Sequence, residues 1–216
     1  MRKEMLYVLC LCVFGLLTAG VTRADTITYT IGDGNTALTG YPTPFADLTI
    51  NVGGTGNATI DLTGLTQGAY TYLFGGHGAI GLKLSNTNVT LGTVTWTGGG
   101  SKTKFTQSSG NNLAGFGTFN FTLDGFGGYS DAVNSLSFEL TGGDFANAAS
   151  VLTANNDGFL AAGHVFVSGD GCSGACTTGY AANSGTPVVP EPPSLVLLGT
   201  GLLLLAGAFK AKLLVA

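Results

Sequence analysis

The chain reads as an all-β protein, a β-sandwich or jelly-roll-like domain flanked by an N-terminal signal helix and a C-terminal transmembrane helix. Three observations predict this. Apolar and polar residues alternate with period two in one run after another. Glycine supplies 36 of the 216 residues and clusters between those runs, where turns belong. Thr, Asn and Ser, rather than Lys and Glu, fill the polar positions, a choice that suits strands better than helices. The glycines follow no Gly-X-Y period, which excludes collagen, and the plentiful aliphatic and aromatic residues exclude disorder.

At the N-terminus, Arg2 and Lys3 precede the apolar stretch Met5–Leu17. Thr22 and Ala24 then place small residues before Asp25, so residues 1–24 read as a secretory signal peptide. Cys10 and Cys12 lie inside it and leave with it. Residues 25–180 are one domain's worth of chain, enough for a single core. From Asp25 to Pro192 there are three cations (Lys83, Lys102, Lys104) and eleven acids. That balance argues against nucleic acid as a partner.

Along the domain, Leu48, Ile50 and Val52 alternate with Asp47, Thr49 and Asn51. Ile60 and Leu62 form the next apolar face, followed by Tyr70, Tyr72 and Phe74. Gly75-Gly76-His77-Gly78 turns the chain toward Ile80, Leu82 and Leu84. Val89, Leu91, Val94 and Trp96 continue the pattern. Phe119, Phe121 and Leu123 predict one strand; Leu136, Phe138 and Leu140 predict another, and His164–Val167 a last one. Strands with one apolar face each make sheets that bury one side and wet the other. One helical turn is predicted at Asp144–Thr153, capped by Asp144, with Phe145, Ala148, Ala149 and Leu152 facing inward. Residues 181–189 read as a flexible linker.

The end of the chain is of a different kind. Pro190-Glu191-Pro192 is followed by an uncharged run from Leu195 to Phe209, too apolar for a surface helix. Its apolar bulk comes from Leu195, Leu197, Leu198, Leu202, Leu203, Leu204, Leu205 and Phe209. At about 1.5 Å per residue the run spans roughly 22 Å, short of the ~30 Å hydrocarbon core. Snorkelling of Lys210 and Lys212 and the apolar end Leu213–Ala216 extend it to a span.

This order (Pro-Glu-Pro, an apolar run with an internal Gly-Thr-Gly, then basic residues) resembles the PEP-CTERM sorting tail of exported bacterial proteins. The resemblance covers residues 190–216. It implies that Pro190, Glu191 and Pro192 form the recognition element and that Leu195–Phe209 anchors the chain in the inner membrane. Lys210 and Lys212 then act as stop-transfer charges. The implied partner is an exosortase, a membrane-embedded cysteine protease that cuts near the Pro-Glu-Pro and passes the protein to the cell surface. Proteins of this kind are associated with extracellular polysaccharide and biofilm, so a non-enzymatic structural or matrix role is implied. The alternative is a carbohydrate-binding module or adhesin on the same scaffold. No cofactor is implied.

Several smaller signals have ordinary structural readings beside the functional ones. Cys172 and Cys176 are the cysteines left after signal removal, and an even count in an exported chain predicts a disulfide pinning a loop. His77, between glycines, suits an exposed loop; His164, at a strand start, suits a packed position. Neither belongs to a Gly-x-Ser-x-Gly elbow. Gly32-Asp33-Gly34-Asn35, Asn155-Asn156-Asp157-Gly158 and Gly169-Asp170-Gly171 carry calcium-type oxygens without the spacing of a known calcium loop, and read as turns. The threonine ladders Thr26-Thr28-Thr30 and Thr93-Thr95-Thr97 read as two separate half-wet strand faces. Tyr41, Tyr129, Tyr180 and Trp96 could stack on sugars, but read first as filling the core or covering its edges.

Overall fold

The computed structural model describes residues 25–100, 104–125, 127–183, 185 and 187–188. In chain order the strands are β1 (Asp25–Ile31), β2 (Asp33–Gly34), β3 (Ala46–Val52), β4 (Ala58–Gly64), β5 (Thr66–Gln67), β6 (Tyr70–Phe74), β7 (Ile80–Leu82) and β8 (Thr90–Gly98). The second half adds β9 (Phe105–Ser108), β10 (Asn111–Leu113), β11 (Gly117–Phe119), β12 (Phe121–Gly125), β13 (Val133–Thr141), β14 (Ala161–Gly169), β15 (Thr177–Asn183) and β16 (Pro187–Val188). The fold is all-β, as the alternation predicts.

The pairing is antiparallel throughout and traces one hydrogen-bonded path, β16-β1-β3-β4-β13-β6-β14-β7-β12-β9, with β8 on the free edge of β13 and β15 on that of β14. A single residue pair, Val133 opposite Phe74, joins β13 to β6. Phe121 of β12 stacks on Phe138 of β13 with ring centroids 5.7 Å apart. β6 and β7 follow one another along the same edge of β14, opposite β15. The main core gathers Leu48, Ile50, Ile60 and Leu62 from β3 and β4 with Tyr72, Phe74, Leu82 and Val165 from β6, β7 and β14. Each aliphatic side chain of this kind stabilises the fold by about 1.5–3 kcal/mol when fully buried.

Three local readings are corrected. The predicted strand through Phe119 and Leu123 is broken at Asn120, whose side-chain amide bonds both the N–H and the C=O of Leu84, each at 2.8 Å. Committing that amide to a neighbouring backbone separates β11 from β12. Phe119 joins a second small core with Leu113, Phe116, Ala162 and Ala182, while Phe121 enters the main one. The predicted helical turn shrinks to a 3₁₀ turn at Ala148–Ser150, capped by Asn147 in a reciprocal box with Ser150. Asp144 has φ 48° and caps nothing, and Ala149 is exposed while Val151 is buried. Finally, Ala181, Ala182 and Asn183 do not open a linker. They complete β15 and are buried, and Pro187–Val188 pair with β1.

Candidate functional site

One end of the molecule gathers polar side chains from segments far apart in sequence. It begins at the loop between β6 and β7. Gly76 has φ +66°, and a Cβ there would lie 2.7 Å from His164 Nδ1, so the loop can lie against the histidine only as glycine. His164 Nδ1 donates to the Gly75 carbonyl at 3.1 Å, which leaves Nε2 of the neutral ring to accept from the Thr178 hydroxyl at 2.6 Å. The ring packs against Phe166 and Tyr180, both at 4.7 Å. Burial pushes its pKa below the usual 6.5; the Gly75 bond opposes this, and neighbouring His77 adds to it. Tyr180 in turn donates its hydroxyl to the His77 carbonyl at 3.1 Å.

The centre of the cluster is Asp124, only 7% exposed. One carboxylate oxygen accepts from the Gly78 N–H at 2.7 Å and lies 3.2 Å from His77 Nδ1. The other accepts from the Ser108 hydroxyl and from Asn111 Nδ2, the latter at 3.4 Å. Asn111 also reaches Ser108 Oγ at 2.7 Å. Serine, aspartate and histidine thus meet, but in an order that moves no proton between serine and histidine. A hydrolytic relay needs the imidazole between the hydroxyl and the carboxylate. Here the carboxylate stands between them, so both groups are engaged by Asp124. The cluster ties the Gly75–Gly78 loop and the β9–β10 turn to β12.

That turn has a second face. Ser108 and Asn111 turn to Asp124, while the intervening and flanking Gln107, Ser109, Gly110 and Asn112 line a groove of about 710 Å³. Phe119 reaches it from the second core, and the Asn155–Asp157 turn, Thr118 and Lys83 complete its sides. Two of its asparagines are committed to the fold. Asn120 grips Leu84 as described, and buried Asn155 donates to the Phe116 carbonyl at 2.8 Å and accepts from the Asp157 and Phe159 N–H groups, each at 3.0 Å. Gly117, φ +79°, leaves room for the Asp157 carboxylate: a Cβ there would lie 2.0 Å from Asp157 Oδ2.

The residues singled out from sequence fall in different places. His77 is exposed, with 67% of its side chain open, and His164 is packed. Cys172 and Cys176 are bonded, with Cα atoms 5.2 Å apart, in the loop between β14 and β15. Asp33–Gly34 form β2 and pair with β15; Asn155–Gly158 and Gly169–Cys172 are closed turns. Among the described residues no three His, Cys, Asp or Glu side chains group as metal ligands. Tyr41 packs edge-on against Tyr70, and Tyr129 bonds Ser168 Oγ at 2.7 Å. Trp96 neither fills the core nor hides: it is 40% exposed and leans on Phe105 at 5.4 Å. The two threonine ladders, read as separate, share one sheet face. Thr28, Thr49, Asp61, Ser137 and Thr95 stand opposite one another across β1, β3, β4, β13 and β8. Pro190, Glu191, Pro192, the anchor leucines, Phe209, Lys210 and Lys212 lie outside the described residues.

Sequence reasoning missed Asp124, Ser108 and Asn111 as partners. The available signal was Asp124 itself, a lone carboxylate closing the apolar run Phe119–Leu123. No family model matches the chain, nor does any curated protein or solved structure.

Proposed function

We propose that this chain is an exported, non-enzymatic surface or matrix protein. Its β domain, read as a jelly-roll-like sandwich, is delivered by a C-terminal sorting and anchoring tail. The observation that carries the reading is the order of elements at the C-terminus: Pro190-Glu191-Pro192, the uncharged Leu195–Phe209 run, then Lys210 and Lys212. Paired with an N-terminal signal peptide, that order describes a protein first exported, then held in the inner membrane, then handed to an exosortase-type protease. Two further facts support it. The Cys172–Cys176 bond fits an oxidising compartment. The Ser108–Asp124–His77 contacts serve to hold loops together. With Val188 paired to β1, Val189 alone separates the folded domain from Pro190 in sequence, so the protease would work close against the sheet.

Intact-mass analysis of the protein from the membrane fraction and the medium of its native host tests this. The expected species starts at Asp25, ends near Pro190–Pro192 and is two hydrogens light. A membrane-bound species still ending at Ala216, with no shorter form, would overturn the cleavage step and reduce the tail to a plain anchor.

A further inference from the structure

The groove beside Phe119 has walls that are fixed and polar groups that are free. Asn120 and Asn155 commit their amides to backbone groups, and the Asp124 cluster pins the β9–β10 turn from behind. Gln107, Asn112, Thr118, Asn156, Lys83 and Asp157 present the remaining side-chain donors and acceptors to the groove. This is the arrangement of a preorganised site, in which a ligand does not have to order its own binding surface.

The lining also selects a chemical class. Lys83 and Asp157 bring one charge of each sign, so the groove offers neither the excess of cations that a phosphate or sulfate needs nor the carboxylate cluster that a metal ion needs. Its walls are mostly amide and hydroxyl, which an apolar ligand would desolvate without replacing their hydrogen bonds. Primary amides donate and accept at once, and so does every hydroxyl of a sugar. The volume, about 710 Å³, falls within the ~300–1,000 Å³ of small-ligand sites.

We infer that this groove binds an uncharged oligosaccharide. Asn112, Asn156 and Gln107 pair with ring hydroxyls, and Lys83 and Asp157 bond hydroxyls at its margin. Phe119 beside the groove is fully buried, so hydrogen bonds rather than an exposed aromatic platform carry recognition. Affinity should accordingly be modest, on the order of 0.1–1 mM, because each such bond replaces one to water. The inference concerns the folded domain and stands or falls independently of how the tail is processed.

The test is calorimetric titration of the full chain, held in a detergent without a sugar headgroup, with cello-, malto-, laminari- and N-acetylchito-hexaose. An oligogalacturonate serves as the anionic control. At least one neutral probe should bind, and Asn112→Ala and Asn156→Ala should each weaken it by about fivefold to tenfold. Both positions are exposed, so an unchanged thermal midpoint separates lost binding from lost folding. Trp96→Ala should leave binding unchanged. Three results would overturn the inference: no neutral probe binding at millimolar concentration, binding of the anionic control alone, or binding lost with Trp96→Ala but retained in both asparagine variants. The last would place the site at the Trp96–Phe105 edge.

Discussion

Two polar regions of this molecule use the same kinds of side chain in opposite ways. On the polar face of the β1-β3-β4-β13-β8 part of the sheet, hydroxyls and amides stand beside one another and bond. Thr28 meets Thr49 at 3.0 Å, Thr97 meets Ser135 at 2.7 Å, and Asn57 Nδ2 donates to Glu139 Oε1 at 3.2 Å. At the groove end, polar residues come from irregular segments and divide their labour. Asp124, Asn120 and Asn155 are consumed in holding backbone, which leaves their neighbours unengaged. A regular ladder satisfies itself and wets its surplus; an irregular corner, braced by a few buried polar groups, leaves others aimed at one space. Regular spacing is therefore a poor guide to where unengaged polar groups gather in this protein.

The largest expected effect comes from removing the brace. Asp124→Ala strands the Gly78 N–H, Ser108 and Asn111 in a buried corner and should lower stability by about 3 kcal/mol, read from urea unfolding at unchanged m-value. A loss under about 1 kcal/mol would mean that the corner is not braced as described, and the contrast with the ladder would fail.

A smaller effect should follow from pH. Burial holds the His164 pKa below 6.5, so between its folded value and 6.5 the unfolded chain binds a proton that the folded one refuses. This residue's contribution therefore makes stability rise with pH across that window and level off above it. His164→Gln should flatten that part of the profile. If the wild-type and variant profiles ran parallel from about pH 5 to 7, the packed-imidazole account would be wrong.

The smallest effect belongs to the ladder. A Thr28→Ala, Thr49→Ala double-mutant cycle should return a coupling of about 0.2–1 kcal/mol, the range for cross-strand pairs. Coupling well above that would show the threonine face to be a cooperative network, and the distinction between the two regions would narrow.

Much of the core was legible in the sequence because strand burial repeats every second residue. Leu48, Ile50, Ile60, Leu62, Leu136 and Phe138 are all core residues, as their alternation requires. The groove was not legible. β10 and β15 carry weak patterns, and β15, Thr177–Asn183, is built largely from Thr, Gly and Ala whose burial comes from what packs on them. At Asn120 the period-two signal was misleading, because a side chain took the place of a strand partner.

The sequence by itself determined the all-β class and the inward faces of strands such as β3, β4 and β13. These follow from local periodicity and composition, which the backbone geometry of a strand reads directly. Only the tertiary structure decided that the threonine ladders share one face, that Asp124 gathers Gly78, Ser108 and Asn111, and that a groove opens beside them. Those arrangements join residues many positions apart, and their energies depend on which buried polar group finds which partner, a matter no local pattern records.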